Sequence, residues 1–277
     1  MTTFALILIV ITVSVLGCAG WFQEKMLFFP DKLDEDKDLE WTGASEEVFL
    51  DTEDGARIHG LFFEADRQAR GVVLYFHGNA GSVASWYQVA LELSQYEVDV
   101  LLIDYRTYGK SRGDMSEEGL YHDGQAAYDY LLEQGIEPPS IVVHGRSVGS
   151  AVATYVAHKN EVGGLVLETP FTSLVTLASE LYPFLAPRQL LRYEMDNLSR
   201  VVTIEAPTWV VHGTADRIVP VEHGRQVFEA GAGAWELTII DGGGHNDLMD
   251  WPDYHRDLQR FYDFLFESEE VDSQELE

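Results

Sequence analysis

Polar and apolar positions give the chain three textures. From Met1 to Gln23 no side chain is charged, and Phe4 to Leu16 is nearly continuous hydrocarbon. An uncharged apolar stretch of about 18 residues or more can cross a bilayer as a helix. No polar face recurs at helical spacing, which argues against a helix buried in a soluble core. Trp21 and Phe22 follow, where an aromatic belt would sit. The positive n-region of a cleaved signal peptide is missing. Residues 1–23 therefore read as an N-terminal membrane anchor or uncleaved signal segment. The nearest basic residues, Lys25, Lys32 and Lys37, all lie C-terminal to it among many acids, which leaves the side of the membrane undecided. The second texture is the mostly charged run from Asp31 to Glu40, so residues 24–45 read as an acidic juxtamembrane stalk.

The third texture runs from about Glu46 to Phe266. Short apolar runs, rich in β-branched residues and ending at Gly or Asp, read as buried strands. They are Glu47–Asp51, Ile58–Glu64, Gly71–Phe76, Val98–Asp104, Ile141–His144, Gly164–Glu168, Thr208–His212 and Glu236–Ile240. The first two form a hairpin around Glu53-Asp54-Gly55. Between later runs, Ser85–Gln95 and Glu117–Gln134 place apolar residues at three- and four-residue spacing, as amphipathic helices do. Strands alternating with helices predict an α/β domain: a mostly parallel eight-stranded sheet with helices on both faces. Residues 267–277 read as an acidic, frayed tail. In open sheets of this kind, sites form beyond the carboxyl ends of the strands.

Charge narrows the partners. Against 18 Lys and Arg stand 47 Asp and Glu, a net charge of -29. Such a chain lacks the cations that displace counterions from nucleic acid, so no nucleic-acid partner is expected. Anionic lipid headgroups will repel it unless something else attaches it. The single cysteine, Cys18, excludes an intramolecular disulfide framework and every cysteine-rich zinc motif. Val15-Leu16-Gly17-Cys18 roughly resembles a bacterial lipobox, so Cys18 is either a candidate lipidation site or simply a small apolar residue.

The chemistry lies where the sheet rule puts it. The fifth strand runs into Gly145-Arg146-Ser147-Val148-Gly149 and then a plausible helix, the strand–turn–helix setting of a G-x-S-x-G nucleophile. Small residues two before and two after Ser147 let strand and helix approach, and the helix N-terminus favours developing negative charge. A serine hydroxyl needs a neighbouring base, itself oriented by an acid. Asp216 follows the seventh strand and His245 sits in the glycine-rich loop after the eighth. Asp241 and Asp247 flank His245, but neighbours in one loop are badly placed to orient their own imidazole. His77, His144 and His212 end strands and read as turn supports. His59, His122, His158, His223 and His255 occupy ordinary strand, helix or surface contexts. Asp104, at the end of the fourth strand, reads as a loop anchor. For an oxyanion, the Val148 N–H supplies one donor, and the Asn79 N–H is first choice for the second, with Ala80 the alternative.

Four motifs carry a resemblance. Phe76-His77-Gly78-Asn79-Ala80-Gly81-Ser82, Asp104-Tyr105-Arg106-Thr107-Tyr108-Gly109-Lys110-Ser111, Gly145-Arg146-Ser147-Val148-Gly149 and His212-Gly213-Thr214-Ala215-Asp216 occur in that order. Together the chain resembles the α/β-hydrolase superfamily, and more narrowly its small membrane-anchored abhydrolase-domain serine hydrolases, a group that includes protein depalmitoylases. Lys25-Met26-Leu27-Phe28-Phe29-Pro30 is similar to the group's juxtamembrane stretch. Thr107 stands where the group usually has Gly, and the depalmitoylases' extra N-terminal cysteine cluster is absent.

Between the sixth and seventh strands, residues 174–206 occupy the place of a short lid. Leu177, Leu181, Phe184 and Leu185 are either part of an amphipathic helix covering the sheet or an apolar wall for an acyl chain. The expected function is a serine hydrolase with a Ser147–His245–Asp216 triad, cleaving ester or thioester bonds of small-molecule or lipid acyl substrates. No metal cluster is visible and such a triad needs no cofactor. An aminopeptidase-like hydrolase of peptides or amides on the same triad, or a non-catalytic binding protein on this scaffold, are the alternatives.

Overall fold

Each of the eight apolar runs folds as a strand of a single sheet in the computed structural model, which describes residues 23–37, 39, 45–65 and 67–274. In chain order these strands are β2 (Ser45–Asp51), β3 (Arg57–Phe63), β4 (Val72–Phe76), β6 (Asp99–Ile103), β7 (Ile141–Arg146), β8 (Gly164–Glu168), β9 (Thr208–Gly213) and β10 (Ala234–Ile240). Their spatial order is β10-β9-β8-β7-β4-β6-β3-β2. The hairpin β2–β3 joins β6 antiparallel, and the remaining neighbours pair parallel.

The central parallel strands are mostly apolar because both faces are covered. In β4, Val72, Leu74 and Phe76 enter one core and Val73 and Tyr75 the other. Helices α3 (Glu117–Glu133), α4 (Val148–Lys159) and α8 (Val221–Ala230) contribute to the first core. Helices α2 (Val83–Ser94) and α9 (Pro252–Gln274) close the second, with Leu93, Leu258 and Phe261 fully buried. Ser116 caps α3 by accepting the Gly119 N–H, which satisfies one of the donors a helix start leaves unpaired.

Two expectations need correction. The acidic tail from Glu267 is not frayed throughout, since α9 continues to Gln274. More consequentially, residues 24–45 are not simply a solvated stalk. A helical turn, α1, is described over residues 23–27. It leads into the two-residue strand β1 (Phe29–Pro30), which pairs parallel with β5 (Ala80–Gly81). Phe28 is buried in the first core, where its ring meets Tyr193 edge-on at 5.1 Å. Further on, the Leu33 N–H donates to the Gly109 carbonyl and Glu35 pairs with Arg112. Apolar anchoring by Phe28 and backbone pairing outweigh the solvation of the acids around them. Of the predicted membrane segment only Gln23 is described; residues 1–22, Cys18 among them, lie outside the described residues. Among those described, no helix is long and apolar enough to cross a membrane.

Candidate active site

Ser147 sits between the end of β7 and the start of α4 with φ 53° and ψ −118°, a conformation that costs a non-glycine residue of order 1–3 kcal/mol and must be imposed by its surroundings. The imposition is visible on both sides. A Cβ on Gly145 would run into the Gly149 carbonyl, and one on Gly149 would run into the Phe76 carbonyl. The Ser147 N–H donates to the Glu168 carbonyl at 2.9 Å, and the Ser150 hydroxyl donates to the Ser147 carbonyl at 2.6 Å. Strand, turn and helix are thus locked, and the Ser147 hydroxyl is presented at the C-terminal edge of the sheet.

Two further loops converge there. His245 Nε2 lies 3.0 Å from Ser147 Oγ, and His245 Nδ1 lies 2.7 Å from Asp216 Oδ2. The Asp216 carboxylate is fixed by the Ile218 and Val219 N–H groups at 2.8 and 2.9 Å. Burial pushes this carboxyl up, but hydrogen bonds from His212 and His245 outweigh it and hold Asp216 well below the usual carboxylate range. An ionised Asp216 makes Nδ1 the protonated nitrogen of neutral His245 and leaves Nε2 free to accept from Ser147. The loops also brace each other: a Cβ on Gly213 would strike the Gly243 carbonyl, and the Ala215 N–H donates to that same carbonyl at 2.8 Å. Asp247, next to the base, accepts the Gly244 N–H at 2.6 Å and so shapes the loop.

The residues expected to line an oxyanion site divide. Val148 is the first residue of α4, directly after Ser147, and is buried. Asn79 is half-buried; its carbonyl accepts from the Phe29 N–H and the Tyr108 hydroxyl, and its side-chain amide donates to the Leu27 carbonyl at 2.9 Å. The side chain is thereby committed to holding the loop, and only the backbone N–H remains as a candidate donor. Ala80 is exposed and belongs to β5. The loop lies against the nucleophile turn, since the Gly149 Cα faces the Phe76 and His77 carbonyls at close quarters.

The lid residues do not form one wall. Helix α5 (Leu174–Leu181) is followed by a 3-10 turn at Pro183–Leu185 and by α6 (Pro187–Leu190) and α7 (Leu198–Val201). Leu177 is taken up by the core, whereas Leu181 and Phe184 are exposed to solvent. The Leu185 side chain lies outside the described residues. The two prolines break the helix before it can lay a continuous apolar face over the site.

Two participants escaped the sequence reading. His212 does more than support a turn: its Nε2 lies 3.2 Å from Asp216 Oδ2 and 2.9 Å from the Val219 carbonyl, placing a second imidazole on the same carboxylate. Its position four residues before Asp216 was the available signal. Arg146, read only as the variable residue before Ser147, donates from Nη2 to the His245 carbonyl and to Asn246 Oδ1, both at 3.0 Å. Its Nε lies 3.3 Å from the fully buried Glu168 carboxylate, and its guanidinium covers the Trp86 ring. Burial pushes Glu168 up, but Arg146 and His144 bring it below its ordinary value. Nothing in the sequence around Arg146 signals a partner 99 residues away. Asp104, by contrast, anchors its loop as expected, accepting the Val83 N–H at 2.8 Å.

Comparison with known proteins agrees with this architecture. The model of the alpha/beta hydrolase fold matches residues 71–196. An uncharacterized protein of Mycobacterium tuberculosis is 34% identical over 227 residues, covering 81% of each chain. The alpha/beta hydrolase domain-containing protein WAV2 of Arabidopsis thaliana is 31% identical over 252 residues, covering 82% of each. Among solved structures, the Pyrococcus furiosus esterase Pf2001 superposes with a TM-score of 0.67 at 20% identity, covering 87% of this chain and 98% of its own. Relatives more than 30% identical match across most of the chain's length, one of them an alpha/beta hydrolase domain-containing protein: the protein belongs to the alpha/beta hydrolase family.

Proposed function

We propose that the protein is a serine hydrolase that cleaves carboxylic ester or thioester bonds of acyl substrates. The observation that carries this reading is the unbroken hydrogen-bonded path Ser147 Oγ–His245 Nε2 and His245 Nδ1–Asp216 Oδ2, at 3.0 and 2.7 Å. His245 takes the hydroxyl proton as Ser147 Oγ attacks the acyl carbonyl. The resulting oxyanion is held by the N–H groups of Val148 and Asn79 in a setting where preorganised donors act strongly. Collapse breaks the carbonyl–oxygen or carbonyl–sulfur bond, and the imidazolium returns its proton to the leaving alcohol or thiol. Water, deprotonated by His245, then hydrolyses the acyl-Ser147 intermediate. Asp216 fixes the imidazole tautomer and stabilises the imidazolium.

The esterase named among the structural neighbours supports an ester substrate. The apolar run at residues 1–23, together with the resemblance to small membrane-anchored hydrolases that include depalmitoylases, supports attachment to a membrane and acyl groups carried there. Fluorophosphonate labelling of wild type beside Ser147→Ala, followed by hydrolysis of p-nitrophenyl esters from acetyl to palmitoyl, tests the chemistry. Labelling of wild type alone with ester turnover is the expected result, and a Ser147→Ala protein that still turns over esters would overturn it.

A further inference from the structure

The described N-terminal residues do not leave the body at an arbitrary place. Gln23 donates from its side-chain amide to the Leu190 carbonyl at 2.8 Å and accepts the Arg192 N–H at 3.1 Å. A few residues later Phe28 packs on Tyr193, and β1 pairs with the loop that carries Asn79. The apolar run therefore meets the folded domain at the lid, on the C-terminal edge of the sheet where Ser147 lies.

The surface at that junction has an unusual composition. Large apolar side chains stand out of it: Met26 and Phe29 on the strap, and Leu181, Tyr182, Phe184 and Leu190 on the lid, with Phe184 79% and Leu190 63% exposed. Soluble surfaces seldom gather such side chains unless a partner covers them. In a chain of net charge -29, the stretch from Leu181 to Tyr193 holds Arg188 and Arg192 and no acid. An exposed apolar tip that carries arginines and no acid of its own, with Glu180 and Glu194 only at its roots, is what interfacial segments present to a bilayer, with apolar groups at the acyl boundary and cations at the phosphate level.

We infer that the lid tip and the adjoining strap form a membrane-docking face, so that the mouth beside Ser147 opens toward the bilayer to which residues 1–22 lead. The occupant is a phospholipid surface with neutral headgroups, because the acidic remainder of the chain is repelled by anionic ones. This rests on the membrane attachment proposed above and extends it: attachment alone leaves the site facing any direction, whereas this contact orients it toward substrates resident in the lipid.

The test uses the full chain with Cys18→Ser as background, carrying a polarity-sensitive nitrobenzoxadiazole label at Phe184→Cys or Leu190→Cys. A third label at Leu132→Cys reports an exposed position at the end of α3, on the opposite edge of the sheet. Each protein is floated with phosphatidylcholine vesicles containing doxyl-labelled lipid, and iodide is added as a quencher from water. The expected result is doxyl quenching with iodide protection at 184 and 190, and the reverse at 132. Labels at 184 and 190 open to iodide, in protein that floats with the vesicles, would overturn the docking face while leaving attachment intact. Labels reached by neither quencher would mean that the chain's own apolar run or a second copy covers the patch, which also overturns it. Failure of the chain to float at all would overturn the attachment on which the inference rests.

Discussion

The turn at Ser147 and the lid from α5 to α7 follow adjacent strands of the same sheet, yet they are built on opposite principles. At the turn, every direction is occupied: Gly145 and Gly149 leave no room for a Cβ, and Arg146 reaches from beneath to the loop of His245. The lid is held at its roots and by the strap, and its tip is left open. Asn197 donates to Ser150 Oγ at 3.0 Å and to the Phe171 carbonyl at 2.8 Å, and the Leu174 N–H donates to the Glu194 carbonyl. Between the roots, Pro183 and Pro187 divide the chain into short helical pieces that bury Leu177 and Tyr193 and leave Leu181, Phe184 and Leu190 exposed. The proton transfer proposed between Ser147 and His245 tolerates little displacement, and the packing at the turn leaves both groups one position. The docking inferred above asks for surface rather than rigidity, and the exposed Phe184 and Leu190 offer such a surface.

Mutation can sharpen this contrast. Asp216→Asn is expected to lower kcat by roughly 10⁴-fold, by reversing the tautomer of His245; steady-state ester hydrolysis over a range of pH reads it, and a loss confined to KM would contradict the role. Arg146→Met leaves the buried Glu168 carboxylate with only the His144 imidazole and the Tyr254 hydroxyl beside it, which costs up to about 3–5 kcal/mol of folding stability. The double variant Arg146→Met with Glu168→Gln is expected to recover most of that stability but not the turnover, since the His245 loop stays untethered. Urea unfolding beside kcat separates the two effects. Gly149→Ala, whose new methyl meets the Phe76 carbonyl, is expected to cost about 3 kcal/mol, whereas Phe184→Ala in the lid should change stability by less than about 0.5 kcal/mol. Equal effects at the two sites would erase the distinction between them.

A smaller effect is expected in the loop after β6. Thr107 has φ 74°, in the left-handed region, where a β-branched side chain is strained. The resemblance placed Gly at this position in related proteins, and the backbone supplies the reason. Thr107→Gly is expected to raise the unfolding midpoint by an amount equivalent to roughly 1 kcal/mol, the strain relieved outweighing the added freedom of the unfolded chain.

Much of this was legible before any coordinates. The central strands were readable because they are buried on both faces and therefore mostly apolar, as in Val72–Phe76 and in Ile141–Arg146 up to His144. The convergence of Ser147, Asp216 and His245 was readable because parallel strands must deliver their following loops to one edge. What stayed hidden depends on contacts without a local pattern. Two-residue strands such as Phe29–Pro30 are too short to show alternation, and the acids around them suggested solvent. The reach of Arg146 to His245 is fixed only by three-dimensional closure, whereas the second imidazole on Asp216 left the faint signal of a His four residues earlier. In the lid, residue type announced an apolar surface but not which way it faced, because Pro183 and Pro187 redirect the chain between Leu177 and Leu190.

The pairing of β1 with β5 has a bearing on where the protein can be cut. A chain shortened to begin at Ser45 would keep every strand of the main sheet and still be incomplete. The Phe28 slot would be vacated, the Leu27 carbonyl that holds the Asn79 amide would be gone, and Ala80–Gly81 would become an unpartnered edge. The smallest autonomous piece therefore starts no later than Leu27, and a chain cut back to Ser45 should unfold at lower urea than one that keeps the strap.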